Sequence, residues 1–220
     1  MTHALLDQNF DLSVRTAEQA LRSLFPKTPL QHNLHLSAKY GAEILLKRED
    51  LSPVRSYKLR GAFNAISKQR DKDLFVAASA GNHAQGVAYV CAKLQKRGVI
   101  FMPVTTPEQK VRKTKHFGQG FIEIRQVGDY FDDCLAEAQR YCADQGGHFL
   151  SPFDDWDVIE GQATVTSEIL GQCEPDIIIL PVGGGGLSAG AKRYLAATDS
   201  KAELILVEPT GGASLQAAVG

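Results

Sequence analysis

Two hydrophobic rhythms alternate along this chain. Short apolar runs rich in Ile, Val, Leu and Phe give way to longer stretches whose apolar residues return every three or four positions. The first rhythm is that of a buried strand and the second that of an amphipathic helix. They predict a helix over Leu12 to Leu24, stopped by Pro26, and a strand from Ala42 to Arg48. A helix capped by Ser56 then runs to about Gln69. Leu74 to Ser79 reads as a strand, and the Ala80-Gly81-Asn82-His83 turn opens a helix ending near Gly98. Val99 to Val104 is the next strand. Thr106-Pro107-Glu108-Gln109 predicts a helix start, with a capping threonine, proline at the first helical position and Gln109 completing a capping box. Gly118 closes that helix. Phe121 to Val127 alternates as a strand, Tyr130 to Ala143 is an amphipathic helix, and Val158 to Gly171 is another helix. Strand Ile177 to Val182, four glycines, a helix from Leu187 and strand Glu203 to Val207 follow. This alternation predicts an α/β fold with parallel sheets flanked by helices on both faces. Periodicity leaves open whether the strands share one sheet or divide between two.

Composition narrows the function classes. A chain of 220 residues has room for one large α/β domain or two small ones. With 44% apolar and 22% charged residues it is an ordinary soluble globular sequence. A net charge of -1 gives no support to nucleic-acid or anionic-membrane binding as a main role. No apolar run approaches the length of a bilayer span, and Met1 to Ala20 lacks a signal-peptide core. Cys91, Cys134, Cys142 and Cys173 are scattered without C-x-x-C spacing. Cys134 and Cys142 share a helical pattern as core or face thiols, and a reducing cytoplasm is the simplest home.

Three features carry candidate chemistry. Lys58 lies in the run Val54-Arg55-Ser56-Tyr57-Lys58-Leu59-Arg60-Gly61. A lysine amine attacks carbonyls only when neutral, and desolvation or nearby cations lower its pKa toward that state. Arg48, Arg55 and Arg60 are the candidate cations. Alone, a lysine between arginines is a solvated helix face. Gly183-Gly184-Gly185-Gly186 follows a buried-looking strand and precedes a helix, so bare backbone and a helix start can wrap an anion. No Gly-Lys-Ser or Gly-Lys-Thr closes it as a P-loop, and Ser188 stands where the last glycine of G-x-G-x-x-G would be. A sharp turn needs only one or two glycines; four favour a phosphate cradle. Ser79-Ala80-Gly81-Asn82-His83 is a second strand-to-helix turn with free donors for a carboxylate, and the Asn82 amide can reach a phenolic or carbonyl oxygen. Ordinary capping explains that turn equally well, and His83 alone is more often a packed or exposed histidine than a base. Together the three describe pyridoxal phosphate and an amino-acid substrate.

The stretches Thr28-Pro29-Leu30, Leu46-Lys47-Arg48-Glu49-Asp50, Ser56 to Ala62, Ser79 to Gly86, Pro181 to Leu187 and Val207-Glu208-Pro209 extend over almost the whole chain. With them the chain resembles the biosynthetic-type threonine dehydratases (threonine deaminases), of the tryptophan-synthase-β-like, fold type II, pyridoxal-phosphate enzymes. The resemblance implies a large cofactor domain of residues 1–54 and 157–220 and a small domain of residues 55–156, with the cofactor in the cleft between them. It implies that Lys58 carries pyridoxal 5'-phosphate covalently and later removes the substrate Cα proton. Asn82 would contact the ring 3′-oxygen, and Gly183, Gly184, Gly185 and Gly186 with Leu187 would bind the phosphate. Ser79, Gly81, Asn82 and His83 would lie along the substrate carboxylate, largely through backbone. Tyr57 stands where the family usually has phenylalanine and would pack near the cofactor. The implied reaction takes L-threonine to 2-oxobutanoate and ammonia, as in isoleucine biosynthesis, in a homo-oligomer when intact.

The pattern departs from the family at three places. Ala163 replaces a usual glycine in Gly161-Gln162-Ala163-Thr164. Glu208 matches the family's glutamate, but Ser214 offers no carboxylate where relatives with a divalent-metal site have one, so no metal is predicted. The family's catalytic region continues beyond the position of Gly220, into further strands and a polar residue facing the pyridine nitrogen. The expectation is therefore a fragment or one part of a longer or split enzyme, poor in cofactor binding and turnover by itself.

Serine dehydratase and serine racemase share the hydroxyl-bearing substrate and stay open. A β-replacement synthase fits less well, because Ser79 to His83 has the dehydratase form. The rival from another class is a nucleotide-binding module, with Gly183 to Gly186 after one strand and Glu208 ending the next. It leaves Lys58 and Asn82 without roles. An inert binding remnant is the third reading.

Overall fold

The structure, a computed structural model, describes residues 3–219. Helix α1 (His3–Leu21) starts well before the expected Leu12 and ends before the expected Leu24. The last turn tightens instead, with Leu24 N–H donating to Leu21 C=O at 2.9 Å, as the chain prepares for Pro26. Strands β1 (Leu30–His32) and β2 (Leu45–Lys47) form an antiparallel ribbon, with α2 (Leu34–Tyr40) between them. This corrects the expectation of purely parallel sheets. A three-residue strand shows no period, and α2 buries none of its residues, so no apolar stripe announces it. It is set by its ends, the Asn33 side chain accepting from Leu36 N–H and Gly41 taking a left-handed φ of 63°.

A four-stranded parallel sheet lies in the middle of the chain. In the order β5 (Ile122–Gln126), β4 (Arg97–Met102), β3 (Leu74–Ala78) and β6 (His148–Phe149), its strands alternate with α4 (Asn82–Leu94), α5 (Glu108–Gly118) and α6 (Phe131–Gln145). Strand side chains point alternately to the two faces. Phe75, Ala77, Ile100 and Met102 join one core with α3 (Lys58–Lys68) and α4. Val76, Ala78, Val99 and Phe101 join another with Cys134, Ala138 and Cys142 of α6. Helices thus cover both faces, as the alternation predicts. A second parallel pair, β7 (Ile177–Pro181) and β8 (Glu203–Val207), packs Ile178 and Leu180 against Leu187, Ala191 and Leu195 of α8 (Gly186–Ala197). Helix α7 (Trp156–Leu170) runs between the two sheets in sequence, and α9 (Ser214–Val219) follows β8.

The end of α4 and the start of α5 also differ from expectation. Helix α4 stops at Leu94, because Gln95 turns left-handed (φ 53°) and Arg97 already pairs with Leu74 of β3. Pro107 is the residue before α5, with an extended ψ of 134°, not its first helical residue. Thr106 is thereby pushed outside the helix, its buried hydroxyl has no partner among the described residues, and no side chain caps that helix. The two-residue β6 carried too little pattern to be read.

Candidate active site

Lys58 is the first residue of α3, and the buried Ser56 side chain accepts its backbone N–H at 3.1 Å. Two positions on, Arg60 points to nearly the opposite side of the helix. Arg60 is fully buried. Its guanidinium donates to Glu49 at 2.8 and 2.9 Å, to Glu168 of α7 at 2.9 Å through two nitrogens, and to Thr164 at 3.1 Å. Arg22 and Lys47 also meet Glu168. Burial pushes the Glu168 pKa up, but Arg60 and Lys47 outweigh it and hold the carboxyl down at about 2. The first turn of α3 is thus nailed to α7 from behind, which leaves Lys58 on the other side.

Burial, not cations, lowers the pKa of Lys58. This corrects the role expected of the three arginines. Arg48 pairs with Asp50 at 2.8 Å, Arg60 is committed to Glu49 and Glu168, and Arg55 is exposed. The Lys58 Nζ donates to the Pro152 carbonyl at 2.6 Å and lies 5.5 Å from the centre of the Tyr57 ring. Tyr57 in turn packs against the apolar cluster of α8 and β7.

Tyr57 and Lys58 line one recess with the segment from Pro181 to Ser188. The structure therefore brings together Lys58, Tyr57, all four glycines and Leu187. The glycines differ in what requires them. At Gly184 a Cβ would stand 2.1 Å from Phe153 Cδ1, and at Gly186 3.0 Å from Phe153 Cα, so these two admit the Phe153 segment. Gly185 has φ 88°, a conformation side chains resist. At Gly183 and Gly185 a Cβ would meet nothing within 4 Å. The first backbone bond of α8 runs from Ala189 N–H to Gly185 C=O at 2.8 Å, leaving the preceding amides of the helix start available to an anion.

Ser79, Gly81, Asn82 and His83 do not line that recess; they form the neighbouring turn between β3 and α4. Ser79 Oγ accepts Gly81 N–H at 3.2 Å, and Asn82 is exposed at the helix start. One turn on, a Cβ at Gly86 would stand 3.2 Å from the Lys58 carbonyl, so α4 lies directly on the lysine's backbone. His83 is buried, with Nε2 3.1 Å from the Leu150 carbonyl. Burial and the Lys58 ammonium lower its pKa to about 4, with the Leu150 bond opposing.

The sequence reading missed the segment from Leu150 to Asp155. It meets His83 through Leu150, Lys58 through Pro152, and Gly184 and Gly186 through Phe153. Two of these contacts use backbone carbonyls, which every residue has, so no residue type signalled them. Ser214 offers no carboxylate, but its hydroxyl donates to the Gly183 carbonyl at 2.8 Å. Glu208 caps α9, accepting the Leu215 and Gln216 amides at 2.8 Å each. Among the described residues no group of three or more His, Cys, Asp and Glu stands together as a metal site.

Residues 21–220 match the family model described as pyridoxal-phosphate dependent enzyme. The chain belongs to that family. It is 46% identical over 208 residues to the L-threonine dehydratase biosynthetic IlvA of Staphylococcus epidermidis, covering 90% of this chain and 49% of that protein. The processed form of threonine deaminase isoform 2 from Solanum lycopersicum superposes with a TM-score of 0.87 at 34% identity, covering 94% of this chain and 57% of that one. Maize serine racemase gives a TM-score of 0.85 at 28% identity, over 90% and 61%. The chain spans about half the length of the curated relatives it matches. The residues present fit the family's cofactor. Half-buried Lys58 lines one recess with a glycine turn, and two of the glycines leave open space beside free amides.

Proposed function

We propose that this chain binds pyridoxal phosphate and contributes to the dehydration and deamination of L-threonine to 2-oxobutanoate and ammonia. One observation carries the reading: Lys58 and the Gly183 to Gly186 turn line the same recess. The cofactor, when bound, supplies an electron-withdrawing ring that stabilises negative charge at the substrate Cα. Lys58 would hold the cofactor covalently and, once the substrate amine has displaced it, would be the amine that takes the Cα proton, helped by burial that favours its neutral form. Gly183 to Gly186 and Leu187 would hold the phosphate through backbone amides, and Asn82 would contact the ring oxygen. Ser79, Gly81, Asn82 and His83 orient the substrate carboxylate, and Tyr57 packs beside the ring. In this reading residues 55–156 form the small domain and residues 1–54 and 157–220 belong to the large one. The working enzyme is a cytoplasmic homo-oligomer; the free cysteines suit a reducing compartment, and no described helix is long and apolar enough to cross a membrane.

Serine remains the competing substrate, since serine racemase shares the fold and serine offers the same leaving hydroxyl. Product analysis separates them. The expected result is more 2-oxobutanoate from threonine than pyruvate from serine, with both lost in Lys58→Ala. Equal or serine-dominant turnover overturns the threonine assignment.

A further inference from the structure

The segment from Leu150 to Phe153 is held at three points around Lys58. Leu150 N–H donates to the Val76 carbonyl at 2.8 Å, which continues the edge of β6 into the segment. The carbonyl of the same residue faces His83 Nε2 at 3.1 Å. A carbonyl oxygen only accepts, so Nε2 carries the imidazole proton and donates it. Nδ1 is then bare, and it has no partner among the described residues. Two residues further, the Pro152 carbonyl accepts the Lys58 amine at 2.6 Å, and Phe153 then lies against Gly184 and Gly186. Among the described residues, the imidazole is the one α4 side chain hydrogen-bonded to this backbone, and α4 lies on the Lys58 backbone.

We propose that His83 is a positioning residue for Lys58. By donating to Leu150 it fixes the 150–153 backbone, and with it the Pro152 carbonyl that directs the lysine amine. This gives the His83 side chain a task separate from the carboxylate contact of its backbone. It rests on the reading of Lys58 as the cofactor-bearing amine.

The test needs no cofactor. Trace acetylation of the full chain, read lysine by lysine by mass spectrometry, reports how tightly each amine is held. Lys47, whose amine is buried against Glu168, is the internal reference for general loosening. In His83→Leu the Lys58 rate should rise roughly fivefold relative to Lys47, on the scale of one lost hydrogen bond. His83→Gln, whose amide can reach the same carbonyl, should restore the wild-type ratio. His83→Asn, too short to reach it, should not. A wild-type ratio in His83→Leu overturns the proposal, as does a parallel rise of Lys58 and Lys47, which reports only a loosened fold. Pyridoxal phosphate capture by the same variants is a separate readout. If the acetylation ratio behaves as stated while wild-type protein takes no cofactor, the positioning role stands and the cofactor reading fails.

Discussion

At the residue scale, the four glycines of the β7–α8 turn separate into two kinds, which substitution to alanine distinguishes. Gly184→Ala drives a methyl into the Phe153 ring, a 2.1 Å approach that only movement of Phe153 relieves. Its predicted cost is about 1–3 kcal/mol in urea unfolding. Gly183→Ala enters open space, and its unfolding free energy should stay within about 0.5 kcal/mol of wild type. Cofactor affinity should fall in both, because the methyl of Gly183→Ala would occupy the anion's space. Equal destabilisation by the two would contradict this division. The run of four was legible in the sequence as more than a turn needs. The reason for Gly184 and Gly186 was not, because it lies in Phe153, some thirty residues earlier in the chain and without any periodic signal.

At the scale of elements, α3 is positioned by charge as much as by apolar packing. Arg60 ties it to Glu49 and Glu168, and Arg22, just past the end of α1, and Lys47 of β2 reach the same Glu168 carboxylate. Glu168→Leu leaves buried cations without their partner, for which about 3–5 kcal/mol of lost stability is expected in urea unfolding. A loss below about 1 kcal/mol would show that the cations simply re-solvate. The long strands and amphipathic helices could be read from their periods, since β3, β4 and α6 each show an apolar pattern to one or two faces. The α1–α3 region was harder. The ribbon of β1 and β2 is too short to show a period, and α2 is fixed by Asn33 and Gly41 rather than by a buried stripe. The arginines around Lys58 were visible as cations, but the pairing that turns Arg60 away from the lysine is with Glu168, more than a hundred residues on. Without that partner in view the sequence suggested that the arginines lower the lysine pKa, when burial does so instead.

At the scale of the whole molecule, acid should undo the structure from two buried groups. His83 falls from 6.5 to about 4 on folding, so the unfolded chain takes up its proton first. The stability from its neutral form is complete above 6.5 and is drawn down as pH falls toward 4. Glu168 falls from 4.5 to about 2, so its contribution is complete above 4.5 and is lost as pH approaches 2. Unfolding free energy should therefore decline in two successive steps on acidification, the first absent in His83→Gln and the second absent in Glu168→Leu. A single step untouched by either substitution would contradict the assignments. Where the two sheet systems meet, α3 of one and the β7–α8 turn of the other set Lys58 in one recess with the glycines proposed to hold the phosphate. That placement is tested by adding pyridoxal phosphate, reducing with borohydride and mapping the label by peptide mass spectrometry. One modified lysine is expected, Lys58, together with a yellow absorption before reduction that Lys58→Ala lacks. Label on another lysine, or none on Lys58, would contradict it.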